Sequence, residues 1–168
     1  MKKEYGLLQF DDKISVTDPM YDPKNIGRVN HVKIKPGAYR MILFSENDHE
    51  RITRAQIVHA EAKISDKELY TKKSWSRIGR ISIDSGIVGF FQDNFDLSDK
   101  QKWNAFCASF GIGKFCPYTN LFDREPFILN KHSEYGTAFF LLTYPSWARD
   151  VLAISKNNEI IALEIRIK

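Results

Sequence analysis

Alternation with a period of two is the feature that most constrains this chain, because successive side chains on a strand point to opposite faces. Glu159 to Lys168 places Ile161, Leu163, Ile165 and Ile167 on one face and Glu164, Arg166 and Lys168 on the other. Such a segment is a half-exposed antiparallel strand, packed on one side and wet on the other. His31-Val32-Lys33-Ile34-Lys35 repeats the pattern, and Pro36-Gly37 then turns the chain into Tyr39–Phe44 as its hairpin partner. Lys13–Thr17 alternates until Asp18-Pro19, where proline cannot donate to a ladder and restricts the residue before it. Arg51 to Ala62 reads as a long strand returning from the polar turn at Glu46–Glu50. Val151–Ile154 leads through the turn Lys156-Asn157-Asn158 into the last strand.

Helix signals are few. Ser98-Asp99-Lys100-Gln101 has the form of a capping box, with Ser98 as the cap and Gln101 reaching back. Trp103, Phe106, Cys107 and Phe110 follow at i, i+3, i+4 and i+7, one apolar stripe that predicts a helix around residues 99–110 packed on a sheet. Gly111 and Gly113 suit its end. A second box, Ser65-Asp66-Lys67-Glu68, opens one or two helical turns in a loop that carries Lys67, Lys72 and Lys73.

The segments Lys13-Ile14-Ser15-Val16 and Arg80-Ile81-Ser82-Ile83 echo one another, each running into an aspartate and a turn, Asp18-Pro19 and Asp84-Ser85-Gly86. The hairpins at 40–59 and 149–168 are a second echo. Together they outline half-repeats over 12–63 and 79–168 within a single domain spanning residues 1–168. The predicted architecture is mainly β (α+β): an antiparallel β-sandwich or open barrel, with one main α-helix covering one face.

Composition excludes several classes. With 43% hydrophobic and 27% charged residues the chain is no disordered polyampholyte, and 13% aromatics favour strands around a thick core. The net charge of +4 is scattered among acids and forms no block, whereas a nucleic-acid groove needs a one-sided basic patch; nucleic acid is not the expected partner. The two cysteines, Cys107 and Cys116, make no Cys-x-x-Cys and no disulfide framework, which suits a reducing cytoplasm. Met1–Asp12 lacks the roughly 7–15-residue apolar run of a signal peptide. Nothing approaches the roughly 20 apolar residues of a membrane helix. The expectation is a cytoplasmic protein with no membrane association and no cofactor.

Asp18 and Asp84 are the foremost candidate site residues. A carboxylate leaving a strand beside Pro or Ser-Gly accepts nearby backbone N–H groups as an Asx turn. Two such carboxylates brought together can instead hold a hard cation or work as acid and base, with Asp22 as a further oxygen donor and His59 as a proton carrier. No calcium-loop spacing accompanies them, and Ser85 lacks the Gly-x-Ser-x-Gly frame of a nucleophile elbow. For binding, the aromatic and basic residues Tyr144, Trp147 and Arg149, joined by Tyr118 and Tyr21, combine large contact area with a polar end.

At Gly79–Phe91 the chain resembles the "I-x-V-D-S-G-x-x-G-x-F-D" segment of an uncharacterised bacterial and phage domain family. Asp18-Pro19-Met20-Tyr21 is similar to that family's "D-P-x-Y" turn, Val32 to Tyr39 to its "V-x-V-x-P-G-x-Y" strand, and Ile160–Ile167 to its closing strand. Members often carry a Gly-Asp-Gly-rich turn before the last hairpin, where this chain reads Thr143-Tyr144-Pro145-Ser146-Trp147-Ala148-Arg149-Asp150. The resemblance implies a fold and no chemistry. The leading functional expectation is a non-enzymatic module that binds a protein partner, of phage, mobile-element or toxin-immunity type. The alternatives are a metal- or ligand-dependent hydrolase centred on Asp18 and Asp84, and single-stranded nucleic-acid binding.

Overall fold

Two antiparallel sheets face one another in the computed structural model, which describes residues 1–19, 29–46, 52–93, 95, 97, 99–111, 125–143 and 146–167 (146 and 147 by backbone alone). The six-stranded sheet runs β1 (Lys2–Phe10), β4 (Gly37–Ser45), β5 (Ile52–His59), β11 (Glu159–Arg166), β10 (Ser146–Lys156), β6 (Ser76–Ile83). The five-stranded sheet runs β3 (Val29–Lys33), β2 (Lys13–Thr17), β7 (Ile87–Gln92), β9 (Ala138–Leu142), β8 (Phe127–Leu129). This is a mainly β sandwich, and its sheets do not close into a barrel.

Side-chain alternation accounts for the layers. Tyr39, Met41, Ala55, Ile57, Leu163 and Ile165 of the larger sheet meet Ile14, Val16, Val88, Phe90, Phe139 and Leu141 of the smaller in one buried cluster. The opposite face of the smaller sheet is covered by helix α2 (Lys100–Ser109), whose Phe106 and Cys107 pack with Phe91 and Phe140. Trp103 and Phe110 border that cluster, so the apolar stripe is core contact as expected. The far face of the larger sheet carries helix α1 (Asp66–Tyr70) and a 3-10 turn at Lys72–Ser74, anchored by Leu69 and Trp75 against Phe44, Leu152 and Ile154.

The cap of α2 is Asp99, not Ser98: its carboxylate accepts from the backbone N–H groups of Gln101 and Lys102, both at 3.0 Å. A carboxylate one residue later caps the unpaired amides of the first turn, and as an anion it also suits the positive end of the helix. The Ser65–Glu68 box forms as expected, the serine oxygen accepting from Glu68 N–H while the glutamate accepts from Ser65 N–H.

One further expectation is corrected by topology. Pro36-Gly37 does not close a hairpin between 31–35 and 39–44; it carries the chain across from β3 in one sheet to β4 in the other. Gly37, with φ +143, permits that crossing, and a Cβ there would stand 2.6 Å from the His59 ring nitrogen Nε2. The two basic-Ile-Ser-aliphatic strands also lie in different sheets, β2 in the smaller and β6 in the larger. The larger sheet reads alike from both edges, β1-β4-β5 against β6-β10-β11, and in this matching β2 corresponds to β7.

Candidate functional site

The two aspartate turns do meet, and Asp18 is the bridge. Its carboxylate is fully buried and accepts from the backbone N–H of Asp84 at 2.9 Å, from that of Ser85 at 2.7 Å and from the Ser85 hydroxyl at 2.7 Å. Ser85 Oγ in turn accepts from Ile87 N–H at 3.2 Å. The corner is thus a long-range staple from the end of β2 in one sheet to the β6–β7 crossing, rather than the local Asx turn expected at Asp18. Asp84 contributes backbone to it while its side chain is exposed. Among the described residues no group of three or more His, Cys, Asp and Glu could hold a metal ion.

His59 is buried in a different place, on β5 beside Tyr39, with ring centroids 5.2 Å apart. Its Nδ1 accepts from the backbone N–H of Glu61, and its Nε2 faces the carbonyl of Pro36 at 3.2 Å. A neutral ring with its proton on Nε2 satisfies both partners. Tyr39 donates its hydroxyl to the carbonyl of Lys35 at 2.6 Å. Burial, with the charge of Glu159, pushes that phenol well above the ordinary tyrosine range. Arg149 is half-buried on β10, after a register shift at Ala148 (φ 54), and its buried Nε has no hydrogen-bond partner. Tyr21, Asp22, Tyr118 and Tyr144 and the Trp147 side chain lie outside the described residues.

A site that the sequence reading did not single out lies on the outer face of the larger sheet. Antiparallel pairing of β5 with β11 sets Arg54 opposite Arg166 and Gln56 opposite Glu164. Glu164 is completely buried, yet it sits among donors. Arg166 Nε donates to its Oε1 at 2.6 Å, Gln56 Nε2 donates to its Oε2 at 2.5 Å, and Arg54 Nη1 stands 3.6 Å from the same oxygen. The carbonyl of Leu69, at the end of α1, collects Gln56 Nε2, Trp75 Nε1 and Arg54 Nη1 at 3.3–3.5 Å. The Arg54 guanidinium lies 4.2 Å from the centre of the Phe44 ring and 5.6 Å from that of Tyr70, a cation–π arrangement that fixes its plane.

Of these side chains, Arg54, Tyr70 and Arg166 line a cleft of about 370 Å³, together with Glu46, Thr53 and Lys72. Both arginines are about one-fifth exposed, so they are held by the protein and still open to the cleft. Arg166 spends Nε on Glu164, and its two Nη nitrogens have no partner among the described residues. Among the described residues, the lining and the buried Glu164 together hold three cations and two carboxylates, an excess of positive charge. On the same face, the Lys2 ammonium bonds Asp66 at 2.8 Å and holds that carboxyl below the usual carboxylate range. The sequence signal for the site is Arg-x-Gln at 54–56 and Glu-x-Arg at 164–166, polar pairs at alternate positions of two otherwise apolar strands. Only the strand register shows that acceptor meets donors.

Against family models, curated proteins and solved structures alike, the chain matches none.

Proposed function

We propose that this protein is a non-enzymatic binding module that captures an anionic group in the cleft above Glu164. The observation that carries the reading is the pair of half-buried arginines braced by one buried carboxylate. Sheltering charge costs several kcal/mol per ion unless geometry and hydrogen bonds offset it, and an apolar cluster of similar volume is often as stable. A guanidinium held in place presents a fork matched to phosphate or carboxylate oxygens, at less entropic cost than a mobile lysine. The expected protein partner becomes, on this reading, one possible carrier of the anion, and the cytoplasm remains the proposed setting.

The test is thermal unfolding in sulfate, citrate or pyrophosphate at matched ionic strength, set against chloride. A ligand held by the folded state alone stabilises by RT ln(1 + [L]/Kd), so about 2.7 kcal/mol is expected at a hundredfold excess over Kd. Arg166→Lys keeps the charge and loses the fork, and is expected to abolish most of that gain. Replacing Arg54, Gln56, Glu164 and Arg166 together by Met, Leu, Leu and Met is expected to leave the fold at least as stable and blind to anions. Equal response of all three proteins to every oxyanion would show that the cleft binds none.

A further inference from the structure

We propose that His31 accepts a phosphoryl group on its Nε2, a modification site independent of the cleft above. The edge strand β3 bulges at this residue: Asn30 and His31 together oppose the single residue Ser15 of β2, and His31 takes φ 53. A bulge re-aims a side chain, and a left-handed residue other than glycine is strained. Blunting the edge would need no histidine, since glycine holds such a φ without strain. The bulge brings the ring to Asp93, whose two carboxylate oxygens stand 2.7 and 2.8 Å from Nδ1. Asp93 is itself fixed, accepting from the Ser15 hydroxyl at 3.5 Å and donating its backbone N–H to the carbonyl of Lys13 at 3.2 Å. In the neutral ring the carboxylate holds the proton on Nδ1, which leaves the lone pair on Nε2. That nitrogen has no partner among the described residues, on a side chain 69% exposed. The second observation is electrostatic. Lys13 and Lys33 stand opposite one another across β2 and β3, alternate with the core residues Ile14 and Val32, and are both exposed, with no acidic partner among the described residues. Like charges so placed destabilise a strand pair, and a doubly charged group beside them offsets the repulsion. With a phosphoramidate as donor, the Nε2 lone pair forms the new N–P bond while the donor's P–N bond breaks, its electron pair leaving with ammonia. The ring becomes an imidazolium whose Nδ1–H stays on Asp93, and a carboxylate in that position stabilises the cation.

The test is to incubate the folded whole protein with phosphoramidate at fixed ionic strength and to map the label by mass spectrometry in alkali, where phosphohistidine survives. His132, exposed and with no carboxylate on its ring among the described residues, is the internal reference. His31 is expected to label at least about tenfold faster than His132, below what a well-placed acid–base pair can contribute, and phosphorus NMR to show the Nε2 isomer. Asp93→Asn is expected to bring His31 down to the rate of His132. Replacing Lys13 and Lys33 together by Gln is expected to slow labelling severalfold without lowering the melting temperature, which separates loss of charge from loss of fold. In urea the two histidines are expected to react alike. Equal rates in the folded protein, label on Nδ1, an Asp93→Asn rate equal to the parent's, or a His31 still faster when unfolded would each overturn the assignment.

Discussion

Glu164 shows how much one residue's meaning depends on its neighbours. Alternation marks it as an outward residue of the last strand, and it does point away from the inter-sheet core. It is nevertheless buried, because Gln56 and two arginines close over it and α1 lies alongside. Asp18 has the reverse history. Its position before proline was legible as a turn acceptor, and the amides it accepts from belong to a turn 66 residues further on. Tyr39 lends itself to measurement. Its hydroxyl is buried and bonded, so the folded state keeps the proton to a pH at which an unfolded tyrosine, near 10, has lost it. Because the native state then binds more protons than the unfolded one, the associated stability is complete below pH 10 and is lost as pH rises beyond it. Tyr39→Phe is expected to be about 1 kcal/mol less stable at neutral pH, for want of the hydrogen bond. The gap between variant and parent is expected to narrow in urea titrations above pH 10, and a constant gap would show that the phenol ionises alike in both states.

Among the elements, β9 and the strand beside it were the least legible. Ala138–Leu142 is buried at every position, since one face meets the larger sheet and the other meets α2, and a run buried on both sides has no alternation to display. Its partner β7 carries Gly89, where a Cβ would stand 2.3 Å from the carbonyl of Phe139 and 2.5 Å from Cβ of Phe140. The obstacle is backbone, which cannot swing aside as a long side chain can. Gly89→Ala is therefore expected to cost about 1–3 kcal/mol or more, read as a lower urea midpoint with an unchanged slope. A midpoint equal to the parent's would mean that β7 and β9 separate readily. The helices contrast with these strands, because caps and stripes are local. Ser65–Glu68 formed as its residues dictate, and α2 differed from expectation by a one-residue shift of its cap.

At the scale of the molecule, the centre of the larger sheet is β5 against β11, strands more than 90 residues apart in the chain. The middle strand of the smaller sheet is β7, and its pairing with β2 likewise joins the first half of the chain to the second. Neither half can therefore finish a sheet alone, even though each reads as edge, middle and centre. A fragment of residues 1–75 is expected to lack a cooperative unfolding transition and to show an unstructured circular-dichroism spectrum. Mixing it with a fragment of residues 76–168 is expected to restore both, and a well-folded first fragment would overturn this account. The cleft belongs to the same scale, as its arginines come one from each half.

The sequence by itself determined what depends on near neighbours: that the alternating segments are strands, where α1 begins and, to within one residue, where α2 does, and which turns break the chain. It also determined that two carboxylate-tipped corners exist, since proline and glycine act on the residues beside them. Tertiary structure alone decided which strand lies beside which, that Pro36-Gly37 crosses between sheets, and that Arg54, Gln56, Glu164 and Arg166 form one cluster. The physical reason is that backbone hydrogen bonding between strands is indifferent to sequence separation. Register is chosen by burial of whole faces, and a charged row becomes a site only when that choice sets its members opposite one another.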